Sequence, residues 1–288
     1  MTILVTGGYG FIGSHLVKEL NDKGYKVLIY DLQTYATDYV DFEYGKPQWR
    51  VWGDILDVKK LNSVLKTHKI DKIIHLAAES HVDNSIKNPN KFVETNVLGT
   101  ANILNIAKDK NIPMVHVSTD EVYGTLRSDD KNCTNVKITR CCNNFGINQH
   151  IEKLIPKSIC SSFNNKEILI YGDGTNKREW IHAQDHAKGV ILVMEKGDPG
   201  EVYNIGTGEE YSNNQISRMI AKYTKTNAVT RYIDDRLGHD YRYALNYGKI
   251  KRLGFKPTRS IKDRKEWNEI IKFYKKYTEA ERKVPVRG

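Results

Sequence analysis

The sequence predicts an α/β fold, a doubly wound parallel sheet with a smaller C-terminal lobe. Three observations carry that expectation. Short β-rich runs alternate with helical patterns through the first half of the chain, as βαβ units do. A glycine cluster, Thr6-Gly7-Gly8-Tyr9-Gly10-Phe11-Ile12-Gly13, stands between the first run and the first helical pattern. After about residue 146 the rhythm loosens. The 288 residues suit one large α/β domain or two coupled lobes, and can bury a core without staples.

Ile3-Leu4-Val5 reads as the first strand, and Ile12, Leu16 and Leu20 then recur as one helix face. Gly24 stands where that helix would end. Lys26 to Tyr30 (KVLIY) is a second strand and Trp49 to Trp52 a short third. Val58, Leu61, Val64 and Leu65 mark an amphipathic helix, and Lys72 to Leu76 a fourth strand. Val93, Val97, Ala101 and Leu104 stripe the next helix, before strands at Met114–Ser118 and Val136–Arg140. This order predicts right-handed crossovers and helices on both faces of the sheet. Beyond residue 146 the expected helices are Glu152–Phe163, Asp185–Glu195, Asn214–Tyr223 and Arg264–Tyr277. The expected strands there are Ile168–Tyr171, Val202–Ile205 and Val229–Ile233. Residues 1–146 form the expected dinucleotide-binding domain, with elements near 183–206 returning to it, and residues 147–288 are mainly a substrate-binding lobe.

Composition excludes several classes. Hydrophobic residues make up 39% and charged residues 28%, an ordinary globular balance, and no run of 18 apolar residues provides a membrane span. The opening MTILVTGGYG has neither a basic region nor the long apolar stretch of a secretory signal. Lys and Arg exceed Asp and Glu by 45 − 35 = 10, a surplus spread along the chain without the aromatic interleaving of a nucleic-acid surface. Cys133, Cys141, Cys142 and Cys160 form no CxxC pair. They fit reduced thiols in a cytoplasmic setting better than disulfides, and no metal site is expected.

The glycine cluster reads as GxGxxG at 8, 10 and 13 or as GxxGxxG at 7, 10 and 13. Glycines let the backbone turn tightly and approach a pyrophosphate, and the following helix offers free N–H groups and the positive end of its dipole. Asp31 ends the second strand, 18 residues after Gly13. An acid there accepts hydrogen bonds from a ribose diol and repels a 2′-phosphate, so a Rossmann site for NAD rather than NADP is expected. A glycine turn beside a surface aspartate is the plainer alternative.

Four stretches together carry a family resemblance: Gly7 to Gly13, Leu76-Ala77-Ala78-Glu79-Ser80-His81-Val82-Asp83, Thr95-Asn96-Val97-Leu98-Gly99-Thr100 and Ser118-Thr119-Asp120-Glu121-Val122-Tyr123-Gly124. The chain resembles the extended short-chain dehydrogenases/reductases, and among them the nucleotide-diphosphate-glucose 4,6-dehydratases of dTDP-glucose or UDP-glucose type. The likeness continues through Arg140–Gly146, Glu152–Pro156, Arg178–Ile181, Tyr203–Gly206 and Asp235–Asp240. It implies a redox-neutral lyase reaction: oxidation of the glucose at C4, loss of water across C5 and C6, and reduction at C6. The product, an NDP-4-keto-6-deoxyglucose, leads to 6-deoxysugars such as rhamnose.

The resemblance also assigns roles. Glu121 is the base at C5, Asp120 the acid at the C6 oxygen, and Thr119 a hydrogen-bond partner of the C4 oxygen. Adjacent acids divide such work when their environments separate their pKa values; a turn acid followed by a helix-start acid is the structural alternative. Gly7, Gly10, Phe11, Ile12, Gly13, Asp31, Asp54, Ile55, Leu76, Ala77, Ala78, Asn96 and Ser118 would contact NAD. Lys153 and Arg178 would neutralise the diphosphate. Ser80, His81, Asn144, Leu154, Tyr171, Asn213, Arg236 and His239 would complete the substrate site, with His81 also readable as a packed core imidazole.

One family element is missing. The oxidation step uses a Tyr-x-x-x-Lys pair, one helical turn apart, on the helix after the STDEVYG strand. Of the 17 tyrosines, Tyr247 has a lysine four residues on, Lys251, in a segment resembling the family's far C-terminal part. From Gly124 to the strand at Val136 there are 11 residues, polar and without an apolar stripe. They can span roughly 35 Å but leave little room for a helix. That helix also supplies half of the family's dimer interface, beside the helix at Asn96–Lys108, so a homodimer with a weakened interface is expected. Two functions follow: a 4,6-dehydratase, or a catalytically impaired homologue that binds NAD and a nucleotide sugar. The choice between UDP and dTDP stays open.

Overall fold

The computed structural model describes residues 1–119, 135–235 and 241–281. Asp120, Glu121, Arg236 and His239 lie outside these residues, as does most of the shortened crossover. The first half contains β1 (Thr2–Thr6), α1 (Phe11–Asp22), β2 (Lys26–Asp31), β3 (Trp49–Trp52), α2 (Val58–Thr67) and β4 (Lys72–His75). Then come two short helices, α3 (Val82–Lys87) and α4 (Pro89–Phe92), a π-helical turn at Val93–Gly99, α5 (Thr100–Asp109), β5 (Met114–Thr119), β6 (Val136–Cys141) and β7 (Asn143–Phe145). The second half contains α6 (Leu154–Phe163), β8 (Ile168–Tyr171), β9 (Lys177–His182), α7 (Ala183–Lys196), β10 (Val202–Ile205), β11 (Glu210–Ser212) and α8 (Asn213–Thr224). It ends with β12 (Thr230–Ile233), β13 (Arg242–Tyr243), α9 (Gly248–Arg252) and α10 (Arg264–Glu281).

Seven strands form one sheet in the order β3-β2-β1-β4-β5-β6-β10. All neighbours in it are parallel. The alternation of each strand divides its side chains between two cores. Ile3, Val5, Val27, Ile29 and Ile74 join α1 and α7 on one face. Leu4, Leu28, Tyr30 and Ile73 join α2 and α5 on the other. The predicted doubly wound sheet is therefore present, and α7 and β10, far along the sequence, complete it. Gly24 ends α1 with φ +79°, a conformation that costs glycine little.

A third core lies outside this sheet. Phe145, Ile159, Trp180, Ile216, Ile220, Trp267 and Tyr274 gather α6, α8 and α10 around a small sheet. Its centre is β9, which pairs with β7 and β13 in parallel and with β11 antiparallel. A two-stranded parallel pair, β8 and β12, stands beside it. Among the described residues, no helix is long and apolar enough to cross a membrane.

Two differences from the sequence reading have clear causes. The stripe Val93–Val97 faces outward, with Val93 58% and Val97 64% exposed. The π turn adds a residue per turn and so rotates the face that follows. Gly99, Ile103, Ile106 and Ala107 meet the core instead. Gly99 has no alternative there, since a Cβ would come within 2.4 Å of Ile55 Cδ1. Strands β7, β9, β11 and β13 were also not foreseen. In β9 the sequence KREWIH looks like surface, yet Arg178 and Glu179 are buried. The Glu179 carboxylate accepts the N–H groups of Thr207, Gly208 and Leu245 at 2.6–2.8 Å, which satisfies a charge that would otherwise be costly to bury.

Candidate dinucleotide and sugar site

The glycine turn is built where β1 lies between β2 and β4, the point at which the strand order reverses. Gly7 has φ +70°, and a Cβ on it would come within 2.6 Å of the Ala77 nitrogen. A Cβ on Gly13 would lie 2.1 Å from the Gly7 carbonyl oxygen. These two glycines are fixed by the protein's own packing. Gly10 differs, because an added Cβ there would meet just the Gly7 oxygen, at 3.3 Å. Gly10 N–H donates to that oxygen and the Gly10 carbonyl accepts from Ser14 N–H, which starts α1. No side chain caps α1 and no acid stands in its first turn. Phe11 and Ile12, half-buried, form that turn. An open backbone at Gly10, facing an uncapped helix N-terminus, fits a pyrophosphate.

Asp31 stands at the end of β2 with its carboxylate buried. Oδ2 accepts from Tyr9 N–H and Oδ1 from Gln33 N–H, both at 2.9 Å. Burial raises its carboxyl above the ordinary value, and the backbone N–H bonds pull the other way. The acid is thus tied to the glycine turn itself. Tyr9 stacks on Trp52 at 5.0 Å and meets Phe42 edge-on, holding the turn from behind. Asp54 and Ile55 follow β3: the Asp54 carbonyl accepts the Tyr30 hydroxyl, and Ile55 is packed in the core.

The loop after β4 forms the opposite wall. Leu76 N–H donates to the Thr6 carbonyl and Ala77 N–H to Thr6 Oγ1. The Thr6 hydroxyl can then donate to His75 Nδ1, 2.6 Å away, and His75 Nε2–H to Thr100 Oγ1 at 3.0 Å. Burial, with His116 alongside, pushes His75 down to about 3, so it stays neutral in this relay. Asn96 spends both ends of its amide on the Glu79 backbone, at 2.8 and 2.9 Å. It therefore shapes the loop that carries Ala78, Ser80 and His81. Ser118 and Thr119 end β5 alongside Arg140 and Cys141 of β6.

The residues expected at the sugar end come from both halves of the chain. Lys153 Nζ donates to the Ser80 carbonyl at 3.2 Å, joining the loop after β4 to the start of α6. His81 Nδ1 accepts from Asn84 N–H, and its Nε2 lies 3.3 Å from Glu152 Oε2. Leu154 opens α6 and packs on the third core. Arg178 is buried in β9, where Nη1 donates to the carbonyls of Lys177 and Tyr241. Tyr171 ends β8, and Asn213 opens α8 with its N–H on the Asn176 carbonyl. Asn144 lies deeper: Nδ2 donates to the Cys142 carbonyl, and Oδ1 accepts from His186. The sequence reading left Glu152, His150 and Tyr35 out of the site. Glu152 lay inside a quoted motif, and Tyr35 stands four residues after Asp31. Tyr247, the lone tyrosine with the lysine spacing, donates its hydroxyl to the Thr207 carbonyl. Among the described residues, no cluster of histidine, cysteine or acidic side chains could hold a metal.

The chain is similar to known proteins over most of its length. The family described as GDP-mannose 4,6 dehydratase matches residues 4–136, and the NAD dependent epimerase/dehydratase family matches residues 128–206. The chain is 39% identical to the low-salt glycan biosynthesis protein Agl12 of Haloferax volcanii, covering 91% of this chain and 96% of that protein. It is 35% identical to a dTDP-glucose 4,6-dehydratase of Streptomyces antibioticus, over 94% of this chain and 96% of the relative. A solved dTDP-glucose 4,6-dehydratase of Streptomyces venezuelae, DesIV, with NAD and a TDP ligand bound, superposes with a TM-score of 0.85 at 37% identity. That match covers 96% of this chain and 97% of DesIV.

Proposed function

Because the chain belongs to the nucleotide-sugar dehydratases of the extended short-chain dehydrogenase/reductase family, we propose that it binds NAD and converts an NDP-glucose to the NDP-4-keto-6-deoxyglucose. The observation that carries the proposal is the glycine turn tied to Asp31. The open side of Gly10, the uncapped start of α1 and the buried ribose acid fit one dinucleotide. Gly7, Gly10 and Gly13 would hold the pyrophosphate, Asp31 the ribose, and the loop at Leu76–Ala78 with Ser118 the nicotinamide end. Bound NAD supplies a reversible two-electron acceptor for the sugar carbon.

The chain's own side chains supply the rest. Thr119, at the end of β5, orients the C4 oxygen. Glu121 takes the C5 proton once a C4 ketone has acidified it, and Asp120 protonates the departing C6 oxygen. Lys153 and Arg178 neutralise the diphosphate, with Arg236 and His239 as further contacts, and Ser80 and His81 face the hexose. In this reading residues 1–146, with the returning elements near 183–206, form the dinucleotide domain, and residues 147–288 form most of the substrate lobe. Cys141 and Cys142 are buried and form no disulfide, which accords with a reducing, cytoplasmic setting, and the product accords with 6-deoxysugar synthesis.

A second reading has its own observation, the missing Tyr-x-x-x-Lys pair. A positioned acid/base is worth about 10²–10⁴ in rate. The proposed enzyme is therefore slow by about that factor, and at the limit it binds both ligands without turnover. The test is the alkaline absorbance assay for the 4-keto product, with dTDP-glucose and UDP-glucose, beside NAD titration. Product with either sugar supports the dehydratase, binding without product supports the impaired homologue, and no binding of either ligand defeats both. The exposed Val93, Val97 and Leu98 support a homodimer through this helix face with a rearranged interface. Light scattering that shows a monomer at micromolar concentration would remove that part.

A further inference from the structure

Three side chains meet where the two halves of the site touch. His81 precedes α3 in the loop after β4, and Glu152 and His150 precede α6. The hydrogen bonds fix the state of each ring. His81 Nδ1 accepts Asn84 N–H at 3.3 Å, so a neutral His81 carries its proton on Nε2, which faces Glu152 Oε2 at 3.3 Å. His150 Nδ1 accepts the N–H of Glu152 at 3.3 Å, so its ring also presents a lone pair on that side. The same Nδ1 is 3.5 Å from Glu152 Oε2. A neutral His150 therefore anchors the Glu152 backbone and leaves the carboxylate to His81. Burial lowers the His150 pKa and favours that neutral form; Glu152 and Asp38 oppose the shift, and Lys153 and His81 reinforce it.

His150 is itself seated by the other half of the molecule. Tyr35 and Tyr39 meet its ring edge-on, with centroids 5.4 and 5.1 Å away. Both follow Asp31 in the chain, and the Tyr35 hydroxyl accepts from Asn84 Nδ2 at 2.8 Å. The contacts close a circuit from the loop after Asp31, through His150 and Glu152, to His81 and Asn84, and back to Tyr35.

We propose that His150 is a positioning residue for the sugar end of the cleft: it anchors Glu152 against His81, and its own seat is the Tyr35–Tyr39 segment that follows the ribose acid. The inference rests on the reading of His81 as a residue that faces the hexose. It has a consequence for binding. A dinucleotide that orders the segment after Asp31 also orders His81, so NAD strengthens binding of the sugar nucleotide, and the reverse, by the same factor.

The test uses the full chain, with His150→Ala as the variant and His150→Asn as the conservative rescue, because an asparagine oxygen can accept the Glu152 N–H from nearly the same place. Long-range proton–nitrogen spectra of the imidazoles should show His81 as a single Nε2–H tautomer in the unaltered protein, an average of tautomers in His150→Ala, and the single form again in His150→Asn. Calorimetry with dTDP-xylose, whose sugar lacks C6, should show affinity about 3- to 10-fold lower in His150→Ala, the worth of one hydrogen bond. The NAD-induced gain in that affinity should vanish with it. A folded His150→Ala protein with an unchanged His81 spectrum and dTDP-xylose affinity would overturn the proposal. Failure of the unaltered protein to bind NAD or dTDP-xylose would instead sink the functional reading, and the His81 spectra would still decide whether His150 sets that ring.

Discussion

The strands β1 and β2 and the strands β5 and β6 belong to one sheet but are buried differently. In β1 and β2 every residue from Ile3 to Thr6 and from Val27 to Asp31 is buried. In β5 the residues His116–Thr119, and in β6 the residues Val136–Ile138, are half-buried. Val93, Val97 and Leu98, in the turn that leads into α5, are exposed as well. The first pair carries the glycine turn and Asp31, whose geometry is set by contacts within the first hundred residues. The second pair leads into Asp120 and Glu121 and borders the crossover that the sequence shortens. The difference teaches that close packing is concentrated where a dinucleotide would be held. The end where the proposed hexose would lie depends instead on contacts from distant parts of the chain.

Acid is the broadest way to break the sealed region. Burial pushes His15 down to about 4, His75 and His186 to about 3, and His182 to about 2. Below the ordinary value near 6.5 the unfolded chain binds protons that the folded chain refuses. Stability is therefore full above about pH 6.5 and falls as the pH drops toward 4. By pH 5 each histidine costs roughly 2 kcal/mol. Urea unfolding at pH 7.5 and at pH 5 should differ by several kcal/mol, and equal midpoints would contradict the neutral assignments. His15 and His182 lie 5.7 Å apart, ring to ring, so the loss should reach the contact between α1 and the small sheet.

The next largest effect is local. Gly13→Ala places a methyl 2.1 Å from the Gly7 oxygen and should cost about 3 kcal/mol as well as NAD binding. Thermal melts and NAD calorimetry check both, and a variant that keeps NAD affinity would show that the turn is not the cradle. A matched pair sharpens the comparison itself. Ile29→Ala, fully buried beside Gly8, should cost about 3–4 kcal/mol, and Ile138→Ala, half-buried on β6, about 1 kcal/mol. Equal losses in denaturant unfolding would erase the distinction between the two regions. A binding effect without a packing loss completes the series: Asp31→Asn should raise the NAD Kd about tenfold, roughly 1.4 kcal/mol, and narrow the preference over NADP.

The large sheet was legible because its strands are apolar runs separated by helical stripes, and because Gly7, Gly10, Gly13 and Asp31 have a local geometric reason. The stripe through Val93 and Val97 misled because a π turn shifted the buried face to Gly99 and Ile103. Strand β9 was hidden because its charges are satisfied by partners far along the chain, as Glu179 is by Thr207, Gly208 and Leu245. In the site, Asn96 and Asn144 were read as ligand contacts from motif position, and their amides are bonded to the protein itself. The circuit through His150 and Tyr35 could not be read from spacing, since it joins three separate stretches of the chain, and Tyr35 and His150 stand 115 residues apart.

The most direct test is to follow the hydrogen at C4. The purified protein, loaded with NAD, is incubated with dTDP-glucose deuterated at C4, and the product is examined by mass spectrometry and NMR. The account predicts slow formation of a 4-keto-6-deoxy sugar nucleotide that has lost water and carries the deuterium at C6. A product without deuterium at C6, or unchanged substrate from a protein that binds both NAD and dTDP-glucose, would contradict it.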